Sequence, residues 1–408
     1  MAKKRSVKLT ESFKDFLENE RAGATILIVC TVLSLLIANS VIGTRYVAFW
    51  HGYLGPLSVE HWVNDGLMAI FFLLIGLELE RELLAGELSD LKRALLPVFA
   101  ALGGIVVPAT IHYVLNNGTP TQAGVGIPMA TDIAFAIGVL ALLGNRVPAS
   151  LKVFLVALAV MDDLGAILVI AIFYSSDLSF AYLLGSLGVA CLLLALNHVF
   201  RVMSLIPYLI GGALMWYLML KSGVHGTIAG VILAFTIPFT NKRDDLDAPS
   251  QRLEHFLHKP VAFLILPIFA LANTGLVIGS EWAAELGSAN SLGILLGLGA
   301  GKPIGILAAS FFVVIIGLCR LPLDLNWKHI LGAGMLGGIG FTMSIFITNL
   351  AFTGKQEIID SSKMAIFLAS LVSALVGLTF LKLFGAPNVD DTDLETMDFD
   401  EDEPTVKV

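Results

Sequence analysis

The chain has 408 residues, 56% of them apolar and only 14% charged, with a mean hydropathy of +0.84. A water-soluble protein carries about 25% charged residues, so an ordinary cytosolic enzyme is excluded, and with no basic patch so is a nucleic-acid partner. The formal charge of −8 says nothing about a substrate, because residues 390–408 hold all of it: nine carboxylates from Asp390 to Glu403 against one cation, Lys407.

In chain order, residues 1–22 form a basic amphipathic segment. No small-residue cleavage site follows the next apolar run, so this reads as a retained cytoplasmic surface helix rather than a signal peptide. A transmembrane helix needs roughly 20 apolar residues, and about twelve such runs follow: 23–41, 59–84, 95–115, 121–143, 150–175, 180–199, 203–218, 223–239, 259–277, 289–316, 329–351 and 360–384. The fold class expected is an all-α polytopic membrane protein, a helical domain over 23–385 followed by an acidic, disordered cytoplasmic tail over 386–408. The first outer loop, 45–60, reads as strand, turn, strand: Arg45 to Trp50, His51-Gly-Tyr-Leu-Gly-Pro, then Leu57 to Glu60. A lone two-stranded hairpin is marginal in water; it either pairs with a second copy or is an amphipathic loop on the membrane. Twenty lysines and arginines fall in one set of alternate loops and four in the other, which puts both termini in the cytoplasm. Three cysteines, Cys30, Cys191 and Cys319, in or beside apolar runs give no disulfide framework.

Ionisable groups at mid-span are the informative residues. In the 21-residue run 153–173, Asp162 and Asp163 are the tenth and eleventh. Each central Asp costs about 2.5–3.5 kcal/mol to insert, so the pair opposes insertion by roughly 5–7 kcal/mol. Asp132, beside Thr131, lies midway along the fourth run, and Lys302 midway along the tenth. A buried lysine pairs with a carboxylate or loses its charge. Three carboxylates against one lysine leave a deficit that a cation or protons must fill. Successive helix residues point about 100° apart, so one Asp faces the ion and the other a neighbouring helix, where Lys302 is the natural partner. Carboxylates, the Thr131 hydroxyl and freed backbone carbonyls are the oxygen ligands that hard alkali cations prefer. Helix-only ion pairing is the structural alternative.

Freed carbonyls need broken helices. The eleventh run carries Gly332, Gly334, Gly337, Gly338 and Gly340; the fourth has Gly124, Gly126 and Pro128 ahead of Thr131. Glycine and proline destabilise helix interiors, and unwound backbone in a membrane is tolerated only where it lines a cavity. Two interrupted spans in oppositely running halves point to a transporter's binding site. Close packing is the other use of such glycines.

Asn64-Asp-Gly-Leu-Met-Ala-Ile-Phe-Phe, Gly76-Leu-Glu-Leu-Glu-Arg-Glu, Ala130-Thr-Asp-Ile-Ala-Phe-Ala, Met161-Asp-Asp-Leu-Gly-Ala, Val224-His-Gly-Thr and Gly299-Ala-Gly-Lys-Pro together resemble the NhaA family of bacterial Na+/H+ antiporters, over residues 10–385. The family is itself a type case of the inverted-repeat rule, so rule and resemblance are one line of support. The resemblance implies twelve helices, inverted repeats of spans three to five and ten to twelve, and broken spans four and eleven that cross. It implies that Asp163 and Asp162 bind Na+ or Li+ in competition with protons, and that Lys302 pairs with Asp162 when no ion is bound. Asp132 and Lys302 would balance the half-helix termini. Further implications are electrogenic exchange for more than one proton, an inner-membrane location, no cofactor, and homodimers joined by the 45–60 hairpin. Alkaline activation is ascribed in the family to the cytoplasmic face; candidates are Glu78, Arg81, Glu82, Glu254, His255 and His258, with His225 at the outer end of span eight. Ordinary solvated helix ends, or a packing histidine at 225, are the alternatives. A Na+-coupled symporter of a small organic solute is the runner-up. An intramembrane aspartyl protease using Asp132 and Asp163 lacks a Gly-x-Gly-Asp setting.

Overall fold

The computed structural model describes residues 11–89, 91–174, 178–240, 248–279, 282–322 and 324–386. The first ten residues and the acidic tail from 387 onward lie outside the described residues. Helix α1 (Glu11–Ala38) is followed by α2 (Gly43–His51), bent from it by 114°, then by strands β1 (Tyr53–Leu54) and β2 (Leu57–Ser58). The strands pair antiparallel, Tyr53 opposite Ser58, around a turn in which Gly55 has φ +70°; that left-handed backbone favours glycine. The expectation of a strand over residues 45–50 is corrected: Arg45 to Trp50 are helical, and only 53–58 form the hairpin. Tyr46 explains the change. Its hydroxyl lies 2.9 Å from Ser34 Oγ on α1 and donates to Leu271 O at 2.7 Å, and Trp50, four residues on, shares its helix face. Tertiary anchoring overrides the strand propensity of an aromatic run.

Residues 59–84 form α3, with a π turn at Trp62–Leu67. Then come α4 (Leu91–Asn116), α5 (Gln122–Met129, wound as a 3-10 helix), α6 (Ile133–Ala141) and α7 (Ala149–Phe173). Next are α8 (Phe180–His198), α9 (Leu205–Lys221) and α10 (Thr227–Ala234). The chain continues with α11 (Pro249–Asn273), α12 (Ala289–Ile315), α13 (Trp327–Gly337), α14 (Phe341–Ala351) and α15 (Gln356–Phe384). Among the described residues seven helical segments are long and apolar enough to cross a membrane, and up to nine if each bent pair is one span. The remaining expected runs fall on α3, which carries Glu78, Glu80, Arg81 and Glu82, and on the shorter α9 and α10. The protein is an all-α polytopic membrane protein.

Helix α7 is central, most of its apolar stretch being buried, whereas α8 is largely exposed and turns Leu184 and Leu192 outward; outward aliphatic side chains of this kind suit lipid. Helices α4 and α12 touch through Gly103 and Gly305, where a Cβ on either would strike the other's carbonyl, the close approach that small residues permit in membranes. Two apolar clusters fill the interior, one including Phe72, Ala130, Ala134 and Phe346, the other Ala136, Leu140, Leu158 and Ile339. The ionisable residues lie where these clusters meet.

Candidate ion and proton site

The two interrupted helices break at the same place. Residues 130–132 between α5 and α6, and 338–340 between α13 and α14, leave the helical path and touch. Asp132 N–H donates to Ile339 O at 2.6 Å, and Ser344 Oγ donates to Ile127 O at 2.7 Å. A Cβ on Gly340 would come within 3.0 Å of Ala130 O, so glycine lets the two backbones approach. Gly334, inside α13, instead packs against Pro303; the glycine-rich span therefore uses its glycines both for the break and for close packing. Helices α6 and α14 both begin at the crossing, and Asp132 caps both. Its Oδ1 accepts from Phe135 N–H at 3.0 Å, and its Oδ2 from Thr342 N–H at 2.9 Å and Thr342 Oγ1 at 2.5 Å. A carboxylate suits two positive helix ends.

Asp162 and Asp163 are fully buried on α7 and face different neighbours. Asp162 Oδ2 forms an ion pair with Lys302 Nζ. Thr131 Oγ1 sits 2.6 Å from Asp162 Oδ2 and 2.9 Å from Gly337 O, one of which takes its single proton, and it accepts from Lys302 Nζ at 3.0 Å. Lys302 follows a π turn, Gly297–Gly301, in which Gly297 packs against Pro128 and Gly301 against Pro108. Asp163 has no such partner: its Oδ1 is buried without a hydrogen bond, as is Asp162 Oδ1. Asp162, Asp132, Glu78 and Lys302 are the charged groups near Asp163. Buried carboxylate oxygens without donors are costly, and a proton or a cation relieves that cost.

A narrow cavity of about 30 Å3 reaches this point, lined by Asp163, Asp132, Thr342, Met343, Glu78 and His258 among others. It has room for one or two waters or a bare cation; organic ligands occupy roughly 300–1,000 Å3. Among the described residues no three His, Cys, Asp or Glu side chains converge on a metal position. The donor set is two carboxylates, hydroxyls and backbone oxygens, which suits a hard alkali cation and not a transition metal.

Toward the other end of the cavity the candidates of α3 and α11 meet. Arg81 Nε donates to Glu254 Oε1 at 2.8 Å and Arg81 Nη1 lies 3.0 Å from Glu82 Oε1. His258 Nε2 stands 3.5 Å from Glu78 and 3.8 Å from Glu254. His255 is exposed and outside this group. His225 lies elsewhere, its Nε2 3.1 Å from Tyr174 O, with Asp65 as a nearby charged group.

Other polar groups escaped the sequence reading. Thr342 and Ser344 sit one turn past the glycines and look like ordinary helix residues until the crossing is known. His112, Asn290 and Ser362 form a buried chain, His112 Nε2 to Asn290 Oδ1 at 3.1 Å and Asn290 Nδ2 to Ser362 Oγ at 2.7 Å. Asn64 and Asn349 both bond Asn273. Asn64 opens the Asn64-Asp-Gly-Leu-Met stretch, but nothing in spacing joins it to Asn273, 209 positions away.

Residues 14–381 match the family model described as Na+/H+ antiporter 1. The chain is 68% identical over 377 residues to a Na(+)/H(+) antiporter NhaA of Dechloromonas aromatica (strain RCB), covering 92% of this chain and 97% of the relative. It is 59% identical to one of Cytophaga hutchinsonii, with 92% and 96% covered, and 44% identical to one of Helicobacter pylori (strain G27), with 93% and 97% covered. These relatives are named as antiporters and give the solute-symport alternative no support.

Proposed function

The chain belongs to the Na+/H+ antiporter 1 family, and on that premise we propose that it expels Na+ or Li+ across the bacterial inner membrane in exchange for more than one proton, serving sodium and pH homeostasis. One observation carries the mechanism: Asp163 is buried, lacks a hydrogen-bond partner at Oδ1 and opens on a cavity that also reaches Asp132 and Thr342. In the empty state Asp163 holds a proton and Asp162 is neutralised by Lys302. An entering cation takes oxygens from both aspartates. Asp163 then releases its proton, and the Lys302 ammonium, deprived of its counter-ion, supplies the second. Exchanging one positive charge for two moves net charge, so the membrane potential drives the cycle. Because ligands must shed protons before they bind a metal, occupancy by cation and by protons excludes one another, and the crossing carries either load between the two sides.

The proposal includes twelve spans with spans three to five and ten to twelve as inverted repeats, both termini in the cytoplasm, and homodimers joined at the hairpin. It also gives the Glu78, Arg81, Glu82, Glu254 and His258 group a part in pH response at the cytoplasmic end. Support for the bare-ion reading over organic-solute symport comes from the size of the cavity.

The test is proton movement in everted membrane vesicles on addition of Na+. In wild type the lumen should alkalinise, because Na+ added outside enters as protons leave, and Asp163→Asn should abolish that change. Sodium-evoked proton flux that survives in Asp163→Asn refutes the assignment.

A further inference from the structure

Three helices leave the ion site carrying the same order of side chains. On α14 the cavity residues Thr342 and Met343 are followed by Phe346 and then Asn349. On α11 the order is Leu266, Phe269, Asn273. On α3, read backward, it is Ile75 and Leu74, Phe72, Asn64. The three phenylalanines are buried and meet in one layer, with ring centroids 5.3 Å apart for Phe72 and Phe346 and 6.5 Å for Phe269 and Phe346.

The three amides form the next layer. Asn64 Nδ2 and Asn349 Nδ2 both donate to Asn273 Oδ1, at 3.2 and 2.6 Å, and Asn273 Nδ2 donates to Asn64 Oδ1 at 2.8 Å. Asn349 Oδ1 is buried and accepts nothing. Asn64 stands inside the π turn of α3, a local widening that recurs at functional positions. Helix–helix gluing would require only satisfied amides; the free Asn349 oxygen is a spare ligand.

Beyond the amides lies a second cavity, about 120 Å3, which Asn273 also lines. Its walls carry Glu60, Asp360, Lys363, His51 and Gln356. His51 Nδ1 is 3.0 Å from Glu60, and Gln356 Nε2 donates to Asp360 at 2.9 Å. Trp50 Nε1, in the same wall, is buried without an acceptor. This chamber and the Arg81–Glu254 group occupy opposite ends of α3 and α11, so the ion site lies between them.

Resting on the antiport reading, we propose that this chamber is a second, transient cation site at the outer mouth of the pathway. It is separated from Asp163 by a gate of two layers, Phe72, Phe269 and Phe346, then Asn64, Asn273 and Asn349. The buried aromatic layer offers no hydrogen-bonding group and stops hydrated cations and protons together. When it parts, the Asn273 and Asn349 amide oxygens replace water around the leaving ion, and Glu60 and Asp360 hold it in the chamber against Lys363.

The test uses the full chain in proteoliposomes, with Na+ supplied on the chamber side or on the opposite side and proton flux as readout. Glu60→Gln combined with Asp360→Asn should raise the apparent KM for Na+ on the chamber side about threefold relative to that on the other side; an unchanged ratio overturns the site. For the gate, Met343→Cys in a chain lacking Cys30, Cys191 and Cys319 should resist a membrane-impermeant maleimide from the chamber side. Adding Phe346→Ala and Asn349→Ala should raise that labelling about tenfold, and equal labelling overturns the gate. Absence of any sodium-evoked flux in wild type would instead defeat the antiport reading, with the labelling result still deciding the gate.

Discussion

Thr342 gives Asp132 two hydrogen bonds, from its backbone N–H at 2.9 Å and its hydroxyl at 2.5 Å, across 210 positions of sequence. The same carboxylate caps α6 through Phe135. One side chain thus offsets the positive ends of two helices that begin at the crossing, and it is held in place before any ion arrives. Asp163, in the same cavity lining, is left as the acid with a free oxygen.

That division of labour separates Asp132 from Asp163 in stability measurements. Asp132→Asn keeps the shape but must turn an NH2 toward one of two N-termini, and should cost about 1–2 kcal/mol. Thr342→Val removes one hydroxyl donor and should cost about 1 kcal/mol. Asp163→Asn removes an unsatisfied buried carboxyl and should leave the melting temperature in detergent unchanged or higher. An Asp163→Asn protein that melts below Asp132→Asn would show that the caps have been misassigned.

Lys302 and Asp162 should behave as a coupled pair. Lys302→Met strands a buried carboxylate, a change that typically costs about 3–5 kcal/mol. Asp162→Asn added to Lys302→Met removes the stranded charge and should recover most of that loss, because replacing both members of a buried pair is far milder than breaking it. Thermal unfolding of the two single variants and the double variant reads this directly. Additive losses would mean that the contact between them contributes nothing to the fold.

Much of this arrangement was legible in the sequence because a bilayer makes errors expensive. Asp162, Asp163, Asp132 and Lys302 stand out in apolar runs, and their depth could be counted. Gly338 and Gly340 announced a break that the structure shows. The strand expected at Arg45 to Trp50 failed for the opposite reason: outside the apolar runs, Tyr46 found hydrogen bonds on α1 and α11 that no local pattern encodes. Glu78, Arg81, Glu254 and His258 converge, yet His255 does not, since helical facing places residues on α3 and α11 only once their crossing is fixed. Thr342 and the Asn64–Asn273–Asn349 layer were invisible, being neutral residues whose partners lie on distant helices.

The hairpin predicts a separable assembly defect. Tyr53 and Leu54 are 82% and 65% exposed, and the open edge of the hairpin carries backbone N–H and C=O groups that a second copy can pair. Deleting residues 53–58 and bridging the gap with glycines should shift the protein toward monomers on native gels, while Na+-evoked proton flux persists. An unchanged mass removes the hairpin from the dimer contact.

Competition between cation and protons fixes the sign of the pH dependence. Below the titration of the site acids, each proton displaced per Na+ raises the apparent KM about tenfold for every unit that pH falls. Exchange for two protons therefore requires a slope near minus two in log KM against pH, flattening once the acids are bare, whereas one-for-one exchange gives a slope near minus one. The Arg81–Glu254 contact, at 2.8 Å, stands off the ion site, and Glu254→Gln breaks it without touching Asp162 or Asp163. If that group adjusts the response to pH, the variant should move the pH at which the maximal rate rises and leave the KM slope as it was. A changed slope would place Glu254 among the acids that exchange protons with the cation, and an unmoved rate profile would leave the site's own competition as the whole of the pH response.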